Sequence, residues 1–238
     1  MSNKRILALS SSRAGQSGYL ETAVPLINDL LGNQSCTVAF IPFAAVDGDY
    51  AAYTEKVQAA LPAAYQLLTV TQSHAAAIVK EADVIMVGGG NTFKLLHDLY
   101  TTHVLDLIRD KVNAGTPYIG WSAGANITGA TISTTNDMPI INPGSFAALR
   151  FFSFQINPHY QQIQVAGFHG ETRDQRLTEF LLLHPAAHVI ALPEGTALRL
   201  ANGRLLVAGQ GEAALLSNRD NSLVKTALPA GADLSYLL

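Results

Sequence analysis

The chain has 238 residues, of which 48% are hydrophobic and 14% are charged, with a formal net charge of −3. This composition favours a compact folded protein, and the lack of a basic block argues against nucleic acid as a partner. The apolar runs are too short to cross a bilayer, and a single cysteine, Cys36, excludes an internal disulfide, so we expect a cytoplasmic protein with no membrane partner.

Strands and helices alternate over the first 130 residues. In chain order, the predicted elements are strand KRILAL, helix GYLETAVPLINDLLG, strand CTVAFIPFAA, helix TEKVQAALPAAY, strand YQLLTV, helix SHAAAIVKEA, strand ADVIMV, the long helical tract NTFKLLHDLYTTHVLDLIRDKVNAG and strand PYIGW. Most of these strands are continuously apolar, which is typical of a parallel sheet covered by helices on both faces.

The pattern changes after Gly129. Residues 130–160 are rich in Ser, Thr, Asn and Pro, with short β-like pieces. The following stretch GETRDQRLTEFLLLHP is predicted to be a helix. The rest reads as successive strands, and Asn202-Gly203 is a strong hairpin signal. We therefore predict an α/β fold with a parallel core and additional antiparallel strands towards the C-terminus, in one domain over residues 1–238.

The stretch GWSAG, residues 120–124, fits the G-x-S-x-G pattern of a nucleophile elbow. An apolar strand precedes it and a segment of small, helix-forming residues follows, as that pattern requires. Glycines suit the strained turn, and a helix N-terminus behind the serine offers amide hydrogens to a developing oxyanion. Ser122 is the candidate nucleophile; the alternative is a tight strand-to-helix turn with no chemical role.

A nucleophilic serine needs a base, and His159 is the preferred candidate among seven histidines. It lies in QINPHYQQ, where an apolar run meets a turn, and catalytic groups gather on such strand-end loops. His169 is the second candidate. His184 and His188 are spaced like a metal pair, but Pro185 lies between them and no H-E-x-x-H pattern exists, so we expect no metal site.

The third group should be a carboxylate that orients the imidazole. Glu194, in LPEGTAL, follows a buried strand at the edge where open α/β sheets assemble their sites. Asp137, in the irregular segment between Ser122 and His159, is the other candidate. The residues favour Glu194 only slightly, because either acid could instead be a turn former or a solvated loop residue.

The glycine cluster VGGGNTF, residues 87–93, lacks the lysine and the spacing of a phosphate-binding loop. It fits an oxyanion loop better, since glycines let the backbone approach a substrate and the next helix points its N-terminus inward. We expect the amides of Gly90 and Ala123 to be the oxyanion donors. The alternative is a tight turn that binds no ligand.

Six motifs in order, GGGNTF, GWSAGANI, NDMPIINP, NPHY, GETRDQRL and LPEGTAL, together resemble the peptidase E family, the α-aspartyl dipeptidases among the serine peptidases. The resemblance implies a flavodoxin-like parallel sheet, similar to that of class I glutamine amidotransferases. It also implies hydrolysis of dipeptides with an N-terminal aspartate, in the cytoplasm and without a metal or cofactor. By the same resemblance Ser122 is the nucleophile and His159 the base, and both Asp137 and Glu194 match acids proposed for the third position.

An aspartyl substrate needs a cation to bind its side chain. Arg173, in GETRDQRL, is the best candidate, because a guanidinium pairs bidentately with a carboxylate; it could instead be an ordinary helix-surface charge. Asn91, in GGGNTF, is a second substrate-binding candidate. The alternatives are a hydrolase of β-aspartyl or cyanophycin-like bonds and a non-catalytic binding module. We expect a monomer or a small homo-oligomer.

Overall fold

The computed structural model describes residues 3–162, 167 and 169–238. The strands of this part of the chain are β1 (Ile6–Leu9), β2 (Cys36–Ile41), β3 (Tyr65–Thr69), β4 (Val84–Val87), β5 (Tyr118–Trp121), β6 (Gln155–Pro158), β7 (His188–Leu192), β8 (Thr196–Ala201), β9 (Arg204–Gly209), β10 (Glu212–Arg219) and β11 (Ser222–Pro229). Seven of them form a central sheet in the order β3-β2-β4-β5-β1-β8-β9. The first five in this order run parallel, and β8 and β9 are antiparallel additions beside β1.

Helices cover both faces of the central sheet. The helices of the described residues are α1 (Val24–Leu31), α2 (Tyr50–Ala60), α3 (Ala75–Glu81), α4 (Thr92–Thr101), α5 (Leu105–Asn113), α6 (Ala123–Asn126) and α7 (Arg173–Leu183), followed by a 3₁₀ turn at Ser235–Leu237. Side chains of a strand alternate between the faces. In β1, Leu7 and Leu9 join the core beneath α1 and α2, whereas Ile6 and Ala8 join the core shared with α3, α4 and α5. The predicted parallel sheet with two covered faces is confirmed.

The long helical tract predicted over residues 91–115 is two helices rather than one. The chain turns between α4 and α5 at His103, which has a left-handed φ of 57°. Leu99, Val104 and Leu105 on the two sides of this turn are all buried. Breaking the helix lets both pieces turn their apolar sides to the same core, which one straight helix of that length would not do.

A second sheet of four strands, in the order β11-β10-β7-β6, forms from the later part of the chain. Here β6 and β7 pair in parallel, while β10 pairs antiparallel with both β7 and β11. One face of this sheet packs against α7 through Leu177, Leu181 and Leu216. The other face contributes Ile156 and Ile190 to the same core as the central sheet.

The C-terminal strands confirm the predicted antiparallel additions. The hairpin between β8 and β9 turns at Asn202 and Gly203, with φ values of 53° and 73°, as expected for an Asn-Gly turn. The separation of β6 and β7 into a second sheet was not predicted. In the described part of the chain, no helix combines the length and apolar character needed to span a bilayer.

Candidate active site

Ser122 lies at a sharp bend where β5 passes directly into α6. Its φ of 53° and ψ of −113° are outside the conformations that residues with a side chain favour. The bend is held because Ser122 donates its N–H to the carbonyl of Leu9 at 3.1 Å, while its own carbonyl accepts from Asn126 at 2.9 Å. A strained residue held by its surroundings is typical of a functional site.

Glycines flank Ser122 because the backbone segments there lie too close for side chains. A Cβ atom added to Gly124 would lie 2.3 Å from the carbonyl oxygen of Val87 in β4. One added to Gly120 would lie 2.3 Å from the carbonyl oxygen of Gly124. The two glycines of the motif therefore allow α6 to pack against β4 and β5, and this packing brings Ser122 to the carboxyl edge of the sheet.

His159 contacts the serine directly. Its Nε2 lies 3.0 Å from Ser122 Oγ, although 37 residues separate the two in the sequence. His159 follows β6 and has a left-handed φ of 52°, and its backbone N–H donates to Ser10 Oγ at 2.9 Å. His169, the second candidate, is exposed before α7. The structure therefore brings together the preferred serine and histidine.

Glu194 completes a chain of three side chains. Its Oε1 lies 2.9 Å from His159 Nδ1, and the His159 and Glu194 side chains are 39% and 53% exposed. His159 and Glu194 follow the carboxyl ends of two neighbouring parallel strands, because Pro158 in β6 pairs with Leu192 in β7. With the ring proton on Nδ1 donated to this carboxylate, Nε2 is left as an acceptor for the serine hydroxyl.

Asp137 lies elsewhere. Its Oδ2 accepts from the N–H of Thr92 at 2.7 Å and from the hydroxyls of Thr92 and Thr135. The carboxylate is thereby placed at the N-terminus of α4, where the helix dipole favours negative charge. Of the two acids that the sequence left open, Glu194 is the one in contact with His159.

The glycine loop after β4 passes directly against the serine. A Cβ atom added to Gly89 would lie 3.0 Å from Ser122 Cβ. Gly90 has a φ of 138°, and a Cβ atom there would lie 2.3 Å from the carbonyl oxygen of Ala44. Among the described residues, the N–H groups of Gly90 and Ala123 have no hydrogen-bond acceptor. Ala123 follows Ser122 directly and Gly90 follows Gly89, so both amides belong to the two segments that meet at the serine.

Asn91 uses its side chain within the protein. Its Oδ1 accepts from the N–H of Lys94 at 3.0 Å and so caps α4. Its Nδ2 donates to the carbonyl of Met138 at 2.9 Å. These contacts join the glycine loop to the segment that carries Asp137.

Arg173 is the first residue of α7, and its Nη1 is buried without a hydrogen-bond partner among the described residues. Burial lowers the pKa of Arg173, the nearby Arg176 lowers it further, and the charge of Asp137 opposes both effects. The guanidinium therefore lies within electrostatic reach of Asp137. Arg173 as a whole is half-buried, and a buried donor atom that no described residue uses is costly unless a ligand or partner binds it.

Tyr53 supports the glycine loop and was not predicted. Its hydroxyl donates to the carbonyl of Gly89 at 3.1 Å, and a Cβ atom added to Gly88 would lie 2.6 Å from that hydroxyl. Burial raises the pKa of Tyr53, so the hydroxyl keeps its proton for this bond. In the sequence Tyr53 is one aromatic residue of a helix, with no local signal of its role.

The residues that the structure describes hold no cluster of three or more His, Cys, Asp or Glu side chains suited to a metal. His184 lies at the end of α7 and His188 begins β7.

Comparison with known proteins identifies the family. A model of peptidase family S51 matches residues 6–208. Peptidase E of Shewanella putrefaciens (strain CN-32 / ATCC BAA-453) is 45% identical over 234 residues, which cover 98% of both chains. Peptidase E of Pasteurella multocida (strain Pm70) is 46% identical over 236 residues, which cover 98% of this chain and 100% of that protein. The crystal structure of a peptidase from an acI-B1 Actinobacterium, 18% identical, shares the fold with a TM-score of 0.71 over 97% of this chain and 96% of its own. The chain therefore belongs to peptidase family S51 and is a peptidase.

Proposed function

We propose that this peptidase is a serine-type dipeptidase that hydrolyses Asp-Xaa dipeptides through an acyl-enzyme. The observation that carries the proposal is the chain of contacts from Ser122 Oγ to His159 Nε2 and from His159 Nδ1 to Glu194. A nucleophile, a base within hydrogen-bond reach and a group that orients the base are the parts that acyl transfer requires. As the family resemblance implies, the enzyme acts in the cytoplasm and without a metal or cofactor.

In the first half of the reaction, His159 Nε2 takes the proton of the Ser122 hydroxyl while Oγ attacks the peptide carbonyl carbon. The negative charge that develops on the carbonyl oxygen is stabilised by the N–H groups of Gly90 and Ala123. The imidazolium, held by Glu194, then gives its proton to the leaving nitrogen as the C–N bond breaks. The second amino acid leaves, and an aspartyl ester remains on Ser122.

In the second half, His159 takes a proton from water while the water oxygen attacks the ester carbonyl. The same two amides stabilise the second tetrahedral intermediate. As the C–O bond to Ser122 breaks, the imidazolium returns the proton to Oγ and free aspartate leaves. One imidazole thus acts as base and acid in each half of the cycle.

Arg173 and Asp137 support the choice of an N-terminal aspartate. An aspartyl residue carries its ammonium group and its side-chain carboxylate on adjacent carbon atoms, so its site needs an anion beside a cation. Arg173 has a buried donor that no described residue uses, and the charge of Asp137 opposes the lowering of its pKa. We assign Arg173 to the substrate carboxylate and Asp137 to the substrate ammonium, and Asn91 to holding the loop between them and Ser122.

The direct test is to compare the natural protein with Ser122→Ala on Asp-Leu. We expect turnover to fall at least about 10⁴-fold, as in other enzymes that lose the nucleophile. The melting temperature should change little, because the backbone contacts of residue 122 do not involve its hydroxyl. A fluorophosphonate probe should label the natural protein at Ser122, and near-native turnover in the variant would refute the proposal.

The other hypotheses from the sequence have separate outcomes. Faster cleavage of β-Asp-Leu than of α-Asp-Leu would favour a hydrolase of β-aspartyl bonds on the same scaffold. No turnover of either peptide and no adduct at Ser122 would favour a non-catalytic binding module.

A further inference from the structure

Ser10, the residue after β1, is fully buried and its hydroxyl joins two distant segments of the chain. Its Oγ donates to the carbonyl of Leu192 at 2.7 Å and accepts the backbone N–H of His159 at 2.9 Å. Its own N–H donates to the carbonyl of Thr196 at 2.9 Å. The Ser10 side chain thus joins the end of β1 in the central sheet to the ends of β6 and β7 in the second sheet.

The two segments that Ser10 joins are the ones that carry the histidine and the glutamate. Leu192 lies two residues before Glu194. The Leu192 carbonyl also accepts the N–H of Tyr160 at 3.0 Å. The backbone N–H groups of His159 and of the next residue are therefore bonded to Ser10 Oγ and to the Leu192 carbonyl. The distance between His159 Nδ1 and Glu194 therefore depends on the same hydrogen bonds that Ser10 completes.

The backbone of His159 needs such support. Its φ of 52° lies in the left-handed region, which is unfavourable for a residue with a side chain. This conformation persists only where neighbouring groups hold it. The Ser10 hydroxyl is the acceptor of the His159 N–H, and a side chain without an oxygen at position 10 would leave that N–H without its present partner.

We propose that Ser10 is a positioning residue for the His159–Glu194 pair, holding the imidazole at its reactive distance from Ser122 without touching the substrate. The inference rests on the proposed role of His159 as the base. The alternative is that the Ser10 hydroxyl only satisfies buried backbone groups and contributes to stability. The two readings differ in kinetics, because a purely structural hydroxyl would affect the melting temperature and leave turnover unchanged.

The test uses Ser10→Ala and Ser10→Cys, with Tyr65→Phe as the matched control. Tyr65 is also fully buried, and its hydroxyl donates to Asn28 Oδ1 at 2.8 Å. It is the first residue of β3, whereas the site lies beyond the carboxyl ends of the strands. Each substitution removes or weakens one buried hydrogen-bonding group. Ser10→Cys nearly keeps the side-chain volume and retains only a weak donor and acceptor, so it serves where Ser10→Ala is too unstable to assay.

We expect Ser10→Ala to lower kcat on Asp-Leu by about 10- to 100-fold, because small misplacements of reacting groups have effects of this size. KM should stay within about twofold, because Arg173 and Asp137 are not altered. The rate of fluorophosphonate labelling at Ser122 should fall in parallel with kcat, and Ser10→Cys should lie between the natural protein and Ser10→Ala. Tyr65→Phe should lose thermal stability and keep its kcat.

Two results would overturn the inference while leaving the proposed function intact. One is a kcat for Ser10→Ala equal to that of Tyr65→Phe, with Ser122→Ala inactive in the same assay. The other is that Ser10→Ala raises KM without lowering kcat and leaves the rate of fluorophosphonate labelling at Ser122 unchanged. Activity retained by Ser122→Ala would overturn the proposed function and this inference together.

Discussion

The two halves of the site are built in different ways. The half that carries Ser122 comes from β4 and β5 of the central sheet and consists of backbone packed so closely that only glycine fits at 120, 124 and 90. The half that carries His159 and Glu194 comes from β6 and β7 of the second sheet and consists of half-exposed side chains joined by hydrogen bonds. One half is shaped by steric exclusion and the other by polar contacts.

This difference explains how the site can be both rigid and reactive. In the proposed mechanism the amides of Gly90 and Ala123 need fixed positions, which close backbone packing supplies. In the same mechanism the imidazole of His159 exchanges a proton with the serine and with the leaving group, and a partly exposed, hydrogen-bonded side chain permits that. Substitutions should therefore act through backbone displacement in the first half and through lost polar contacts in the second.

After Ser122→Ala, the largest effect is expected from Glu194→Gln in the polar half. The variant keeps the size of the side chain and removes the charge that supports the imidazolium, and a comparable change in another serine peptidase lowers kcat about 10⁴-fold. We expect a loss of about 10³- to 10⁴-fold in kcat on Asp-Leu. Asp137→Asn is the comparison: it should raise KM more than it lowers kcat. A larger kcat loss in Asp137→Asn would reverse the assignment of the two acids.

Gly90→Ala tests the steric half. The added methyl group would lie 2.3 Å from the carbonyl oxygen of Ala44, so the loop must move. Its amide would then leave the position that we propose for binding the oxyanion. Loss of one oxyanion donor lowers kcat by about 10²- to 10³-fold. Gly203→Ala is the control, since Gly203 also has a left-handed φ, 73°, but no heavy atom within 4 Å of its added Cβ. Equal kcat in both variants would contradict the steric account.

Arg173→Ala, at the start of α7, tests the proposed choice of substrate. The ratio of kcat/KM for Asp-Leu over Ala-Leu should fall about 10- to 100-fold, since a hydrogen bond to a charged group contributes about 1.5–3 kcal/mol. Arg176→Ala is the matched control, because Arg176 is exposed and its Nε lies 3.7 Å from Glu171. A ratio that is unchanged in Arg173→Ala, or lowered equally in both variants, would point to another selector.

The smallest effect is expected from Tyr53→Phe, which removes a polar contact from the sterically built half. The hydrogen bond from Tyr53 to the carbonyl of Gly89 joins two uncharged groups. Its loss should affect the loop only slightly, because close packing of the glycines already restricts the loop. We expect kcat to fall about 2- to 10-fold, in line with about 0.5–1.5 kcal/mol for such a bond. A loss as large as that of Gly90→Ala would show that polar contacts control both halves.

Local patterns in the sequence were enough to predict much of this protein. Apolar runs alternating with helical patterns predicted the parallel sheet, and Asn202-Gly203 predicted the hairpin between β8 and β9. The spacing of glycines around Ser122 predicted the bend between β5 and α6. These features depend on the side-chain period and on the φ values that single residues allow, so a short stretch of chain contains the needed information.

Only the tertiary structure decided which distant residues meet. Glu194 rather than Asp137 contacts His159 because β6 and β7 pair in parallel in the second sheet. Ser10 reaches His159 across 149 residues of sequence. Such contacts follow from how strands choose their neighbours, and that choice depends on the packing of the whole core, which no local stretch of the sequence specifies.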